Sequence, residues 1–439
     1  MGGRTSERAE DRKRWSPADF VILLAGVVIA VAAVAPIAVH WLTNPPDQRL
    51  VDIDVYRAGG DAVLRGAPVY AFLTEPPQLL PFTYPPFAAL LAVPLALLPW
   101  GTVQVLWVAA IYLALAVCVW YGFRPLLRRV GRYAPIALGV LVGVLAYLQP
   151  VQDQARFGQV GLFLMALCVA DCATPNPRWP RGLLVGLATA IKLVPGVFLI
   201  YFLITGRREA AGNAVLTAAA ATLASFMVLP GDSLDFWFDA VMSSDRAGAN
   251  NATTNQSLNG MLLRLYWPDA VTTLVWLAAV AAVAYVGFRL ARRASLTSDL
   301  LDGGRRNGPG AYSAEMAGIA IAGLLSVLLS PIGWVHHLVW VVLVLGALVG
   351  DGRDTRRCLV AAGIGVFFAF RIPWMGTRWI GEGHSAIERL TGRIVQDAFG
   401  LMAVALVLLL GVWLVNRLMA HRDQCGPSPD QVSADTLAS

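Results

Sequence analysis

Lysine is almost absent from this chain: of its 34 basic residues only Lys13 and Lys192 are lysine, and the rest are arginine. Charge of any kind is scarce, at 14% of 439 residues against about 25% in a soluble domain. Cysteine is sparse and scattered at Cys118, Cys168, Cys172, Cys358 and Cys425. The first four lie in or beside apolar runs, with no zinc spacing, and read as small apolar residues. No phosphate-binding loop, dinucleotide fingerprint or nucleophile elbow occurs. No internal repeat is visible, and the apolar runs are continuous rather than alternating, which argues against a barrel. The arginines fall in short clusters at segment ends, so nucleic acid is a poor account of them.

Apolar residues make up 57% of the chain, and the mean hydropathy is +0.61. So much apolar surface has no place in a water-soluble core. The chain reads as an all-α polytopic membrane protein, each span needing about 20 apolar residues. Arginine clusters then set its orientation by the positive-inside rule. The basic tail 1–17, Arg124 with Arg128, Arg129 and Arg132, Arg178 with Arg181, and Arg207 with Arg208 mark cytoplasmic positions. So do Arg292, Arg293, Arg305 and Arg306, then Arg353, Arg356 and Arg357, then Arg417 and Arg422 in the tail 417–439. Residues 20–41 lack a small-residue cleavage site and read as a retained first span. The membrane domain is 18–416, placed in the plasma membrane, with about ten full spans and some twelve helices. Outward loops are expected at 43–84, 150–160, 230–270, 330–337 and 372–395.

One segment breaks the count. Residues 182–205 begin and end inside, yet are long enough to cross once. A hairpin of two half-helices, broken at Lys192–Pro195, resolves the discrepancy, and such breaks are tolerated where they line a cavity.

The non-basic polar residues crowd the outward loops, which implies a cleft open to that side. The loop after the first span carries Asp52 and Asp54, two candidates for a general base. A short helix is expected over 55–64, capped by Asp52 or Asp54 and lying on the membrane surface. Lys192, alone in an apolar run at a helix break, suits a phosphate. His336 and His337 are adjacent, so they point about 100° apart and do not form a chelating pair. Either one can face the cleft and hold a phosphate or a proton. Asn255, Gln256, Ser257 and Asn259 offer groups suited to sugar hydroxyls, and Arg264, Arg246 and Arg156 suit phosphate.

Six stretches in order carry a resemblance. They are Asp52-Ile-Asp-Val-Tyr56 with 64–70, Phe82-Thr-Tyr-Pro-Pro86, Phe157-Gly-Gln159, residues 186–195 around Lys192, Asn255-Gln-Ser257, and Ser330-Pro-Ile-Gly-Trp-Val-His-His337. Together they resemble the polyprenol-phosphate-sugar-dependent enzymes of the GT-C superfamily, glycosyltransferase family 87. Gly333 stands where a serine is common in that family. The resemblance implies a GT-C bundle of about 10–12 transmembrane helices with a catalytic first extracytoplasmic loop. It implies metal-independent, inverting transfer without a cofactor, from a β-linked polyprenyl-phosphate sugar. It assigns the catalytic aspartate to Asp52 rather than Asp54. His337 or His336 is expected to stabilise the leaving phosphate or to orient the acceptor. Substrate contacts are expected from Asp54, Tyr56, Thr83, Tyr84, Gln159, Lys192, Asn255, Gln256, Ser257, Arg264 and Trp334. The nearest subgroup is the α-1,2-mannosyltransferases of phosphatidylinositol mannoside and lipomannan assembly, whose acceptors are glycolipids. The arabinofuranosyltransferases share much of the pattern. A transporter of lipid-linked sugars is the rival from another class, disfavoured by the one-sided polar groups and the absence of repeats.

Overall fold

The computed structural model describes residues 16–45, 48–242, 248–301 and 308–425. The N-terminal arginines, Arg246, Arg305 with Arg306, and the end of the C-terminal tail lie outside them. In chain order the helices are α1 (Pro17–Thr43), α2 (Val51–Arg65), α3 (Pro86–Ala96), α4 (Trp100–Gly122), α5 (Arg124–Val130), α6 (Ala134–Ala146) and α7 (Gln149–Phe157). There follow α8 (Gly161–Ala173), α9 (Leu183–Ile191), α10 (Val197–Ile204), α11 (Arg208–Val228), α12 (Pro230–Phe238), α13 (Leu258–Leu263) and α14 (Asp269–Leu301). The last third holds α15 (Pro309–Leu328), α16 (Val341–Val349), α17 (Thr355–Ala369), α18 (Ile372–Gly376), α19 (Ala386–Gln396), α20 (Ala398–Leu408) and α21 (Val415–Cys425).

Among the described residues, seven helical segments are long and apolar enough to cross a membrane, or nine if each of two bent pairs is one span. The count from sequence was about ten. The shorter apolar helices 86–96, 194–204 and 335–349 stand outside the seven to nine. The bundle is built around α15, whose whole apolar window is buried, whereas α1 and α14 have only 11% of theirs buried. Small residues at Ala311, Ala314, Ala317, Gly318, Ala320 and Ala322 let neighbouring helices approach α15 closely. On the periphery, Phe20, Leu24 and Val31 of α1 turn outward as a lipid-facing surface would.

The polar segments sort onto two faces. On one, Arg129 donates to Asp351 O at 2.9 Å, Arg417 is paired with Asp354 at 2.5 Å, and Arg207 is paired with Glu315 at 2.5 Å. On the other, the segments around Asp52, Gln159, Asn255, Trp334 and Gln396 meet through hydrogen bonds. The break near Lys192 is present: Lys192 leaves α9 in an extended conformation, and a single 3-10 turn, Val194–Gly196, precedes α10. The segment's two ends lie side by side, because Asn213 donates to Arg181 O at 3.0 Å where α11 starts just after α10. Lys192 therefore sits at the turn of a re-entrant hairpin, roughly 14 Å from its base at 1.5 Å per residue of α9.

Candidate active site

The acidic loop folds around α2. This helix starts at Val51, four residues earlier than expected, with Leu50 as its N-cap and no side-chain cap. Asp52 and Asp54 are therefore not caps; they sit inside the first turn, where the N-terminal end of the helix favours negative charge. Gly59 and Gly60, which weaken a helix in isolation, are held by close packing: a Cβ on either would collide with the Phe82 ring or the Ala92 carbonyl.

Asp52 meets Gln159 across the cleft. Gln159 follows α7, and Gly158 makes the turn between them with φ 73°. A side chain at Gly158 would strike Ile53, so the glycine allows α7 to end against the start of α2. Leu50 N–H donates to Arg156 O at 2.8 Å, which fixes that approach. Trp107 of α4 supports the same turn, its indole donating to Gly158 O at 2.8 Å. Gln159 Nε2 then donates to Asp52 Oδ2 at 2.6 Å. Burial pushes the Asp52 carboxyl up to about 6, against the opposing pull of the Gln159 bond and the Lys192 charge. A carboxylate in that range is suited to take a proton near neutral pH. Asp54 is also raised by burial, but its charged neighbours are Arg57 and Glu75.

The network runs on from Gln159. Its Oε1 accepts from Tyr56 at 3.3 Å and Tyr84 at 3.5 Å, and the two phenols are 2.9 Å apart. Lys192 Nζ donates to Tyr84 Oη at 3.5 Å, lies 5.0 Å from that ring's centroid, and is 3.0 Å from His337 Nε2. His337 Nδ1 accepts the Trp334 N–H at 3.2 Å, which leaves the ring proton on Nε2. Lys192 Nζ and His337 Nε2 thus come together at one point, where an anionic oxygen would accept from the ammonium and from a ring N–H on Nε2.

Of the two histidines, His337 joins Lys192. His336 is buried, with its ring against Phe157 and His337, and its carbonyl accepts from Gln154 at 2.6 Å. Its Nε2 has no hydrogen-bond partner among the described residues. Thr83 is exposed, outside this network as described.

Four residues expected to touch substrate are engaged elsewhere. Asn255, Gln256 and Ser257 are fully buried. Asn255 Oδ1 accepts from Gly333 N–H at 2.9 Å, Gln256 Nε2 donates to Gln396 O at 2.9 Å, and Ser257 Oγ donates to Pro331 O at 3.1 Å. Arg264, 1% exposed, donates to Asp397 Oδ1 and to Ala252 O, both at 2.7 Å. Asn255 and Ser257 thus fasten the loop 253–257 to residues 331–333, just before Trp334, while Gln256 and Arg264 tie the same region to residues 396–397. The sequence reading passed over Trp107, because a tryptophan in an apolar helix gives no sign of its partner. Gln154 was visible with Gln152 and Asp153 in the outward loop expected at 150–160, most of which is the helix α7.

The sequence profile of glycosyltransferase family 87 matches residues 82–331. A polyprenol-phosphate-mannose-dependent α-(1-2)-phosphatidylinositol mannoside mannosyltransferase of Mycolicibacterium smegmatis is 33% identical, over 84% of this chain and 85% of its own length. A protein of the same description from Mycobacterium tuberculosis is 33% identical over 91% and 92%. A phosphatidylinositol pentamannoside mannosyltransferase of Mycolicibacterium smegmatis is 31% identical over 80% and 82%. No solved structure matches.

Proposed function

Because the chain belongs to glycosyltransferase family 87, we propose that the Asp52 network transfers mannose from a polyprenyl-phosphate donor to a mannose hydroxyl of a phosphatidylinositol mannoside. The transfer takes place on the outer face of the plasma membrane. The observation that carries this reading is one continuous network with a carboxylate at one end and the Lys192–His337 pair at the other.

The chemistry follows from that polarity. The acceptor oxygen attacks the anomeric carbon while Asp52 takes its proton. The bond from that carbon to the phosphate oxygen breaks, and its electron pair leaves with the polyprenyl phosphate. Lys192 and the His337 Nε2–H hold the phosphate and stabilise the charge it gains. One displacement inverts the anomeric centre, so a β-linked donor gives an α-mannoside. Gln159 occupies one Asp52 oxygen and leaves the other for the acceptor. Tyr56 and Tyr84 orient Gln159 by donating to its Oε1. Confinement of both lipid-linked substrates to one cleft supplies much of the rate.

Purified protein in vesicles, given polyprenyl-phosphate-mannose or the arabinose donor with a phosphatidylinositol mannoside acceptor, tests the reading. Mannose transfer with an α-(1→2) linkage is expected. Transfer of arabinose alone contradicts the choice of sugar, and transfer of neither contradicts the acceptor or the reaction.

A further inference from the structure

The hairpin of α18 and α19 packs small residues and one glutamine against the protein and leaves an apolar stripe exposed. On α19, Gly392 and Gln396 are buried, Gly392 against the Gly376 backbone. Ile387, Leu390 and Ile394 are 78%, 63% and 53% exposed. At 100° per residue these three form one stripe, opposite Gly392 and Gln396. The stripe does not stand alone. Val366 and Phe370, at the end of α17, and Leu401, early in α20, are exposed as well. Both flanking segments belong to candidate spans. Trp379 is exposed, and the Arg371 guanidinium lies 4.5 Å from the Trp374 ring centroid. Arginine and tryptophan together are usual at a membrane–water interface.

We propose that α19 lies in the plane of the membrane, with Ile387, Leu390 and Ile394 sunk into the leaflet on the Asp52 side, and that this seating holds the loop 253–257. The occupant of the stripe is lipid hydrocarbon, because α19 connects two candidate membrane spans whose own apolar residues are exposed.

The mechanical link is at the end of the helix. Gln396 O accepts from Gln256 at 2.9 Å, and Gln396 Nε2 donates to Thr253 Oγ1 at 2.8 Å. The next residue, Asp397, is paired with Arg264 at 2.7 Å. From that loop, Gln256 N–H donates to Gly333 O at 2.7 Å, and Val335 N–H donates to Thr254 O at 2.9 Å. These bonds bracket Trp334, whose N–H fixes His337. α19 is thus a positioning element that acts on the site through residues 396–397, 253–257 and 333–337, while touching no reacting atom.

The test uses the full chain in phosphatidylcholine–phosphatidylglycerol vesicles, with Cys358 and Cys425 replaced by serine and a nitroxide on Leu390→Cys. The label is expected to collide more with oxygen than with a water-soluble nickel chelate, and a label on Glu382→Cys is expected to do the reverse. Nickel-dominated collisions at position 390, or spin coupling between labels on two copies, would overturn the lipid assignment. This readout needs no sugar, so it stands or falls apart from the proposed transfer reaction. For the link to the site, Ile387→Ser with Leu390→Ser is expected to lower donor kcat/KM several-fold in vesicles. Unchanged kcat/KM, with the protein folded by size-exclusion profile, would sever α19 from the site.

Discussion

The Gln159 side-chain amide donates to Asp52 Oδ2 at 2.6 Å, from a residue 107 positions away in sequence. Its other end accepts from Tyr56 and Tyr84. The two phenols therefore settle which way the amide faces, and Asp52 receives an N–H rather than a carbonyl.

Removing that donor should move the acid limb of the pH–rate profile. A hydrogen bond to the charged carboxylate lowers its pKa, so Gln159→Leu should raise Asp52 further above about 6. A bond to a charged group is worth about 1.5–3 kcal/mol, or roughly one to two pH units. The expected outcome is an acid limb displaced upward by about that much, measured as kcat against pH. An unmoved limb would mean that Gln159 does not tune the base.

The same carboxylate should leave a mark on stability. Its pKa in the fold, about 6, lies above its ordinary 3.8, so the neutral form is the one the fold favours. The stability it contributes is present below the ordinary value and is lost as pH rises through about 6. Asp52→Asn should therefore raise Tm at pH well above that value and flatten this part of the pH dependence. Thermal unfolding in detergent, in acidic and mildly alkaline buffer, measures it; a lowered Tm in alkaline buffer contradicts the buried-acid account.

Lys192 and His337 should behave as one unit toward the donor. Lys192→Ala is expected to lower kcat/KM for the donor by roughly 10–100-fold, the worth of a hydrogen bond to a charged group. His337→Ala should act in the same direction. The double variant should lose less than the product of the two, because residues in contact couple. Independent, multiplicative losses would separate the two residues into different roles.

The sidedness proposed for the site has its own measurement. In a background without native cysteines, Gln48→Cys and Ala249→Cys should react with an impermeant maleimide added to intact cells, and Arg353→Cys should not. The converse pattern reverses the orientation.

Much of this site was legible in the sequence because polar residues at membrane depth are expensive and stand out. Asp52, Tyr84, Lys192 and His337 were visible for that reason, and Lys192 also because a proline lies three residues on. The broken hairpin was legible from charge counting, since two basic clusters cannot lie on one side of a single full span. The roles of Asn255, Gln256, Ser257 and Arg264 were not legible. An amide that binds backbone has the same local pattern as one that binds sugar, and the partner that settles Arg264 is Asp397, 133 residues away. The start of α2 was misplaced because Asp52 and Asp54 have the pattern of N-caps, whereas the chain enters the helix through Leu50 with no side-chain cap. The seven to nine span-length segments among the described residues do not include the shorter apolar helices 86–96, 194–204 and 335–349, which have the composition of spans.

The central claim is that Asp52 takes the acceptor's proton. Single-turnover mannosyl transfer by purified Asp52→Asn, with Asp54→Asn beside it, tests this most directly. The account predicts that Asp52→Asn still binds donor but transfers at least about 10²–10⁴-fold more slowly, the usual worth of general-base assistance. Asp54→Asn should lose far less, because its charged neighbours are Arg57 and Glu75 rather than the Gln159–Lys192 network. Near-normal transfer by Asp52→Asn would contradict the account, and transfer lost only in Asp54→Asn would move the base to Asp54.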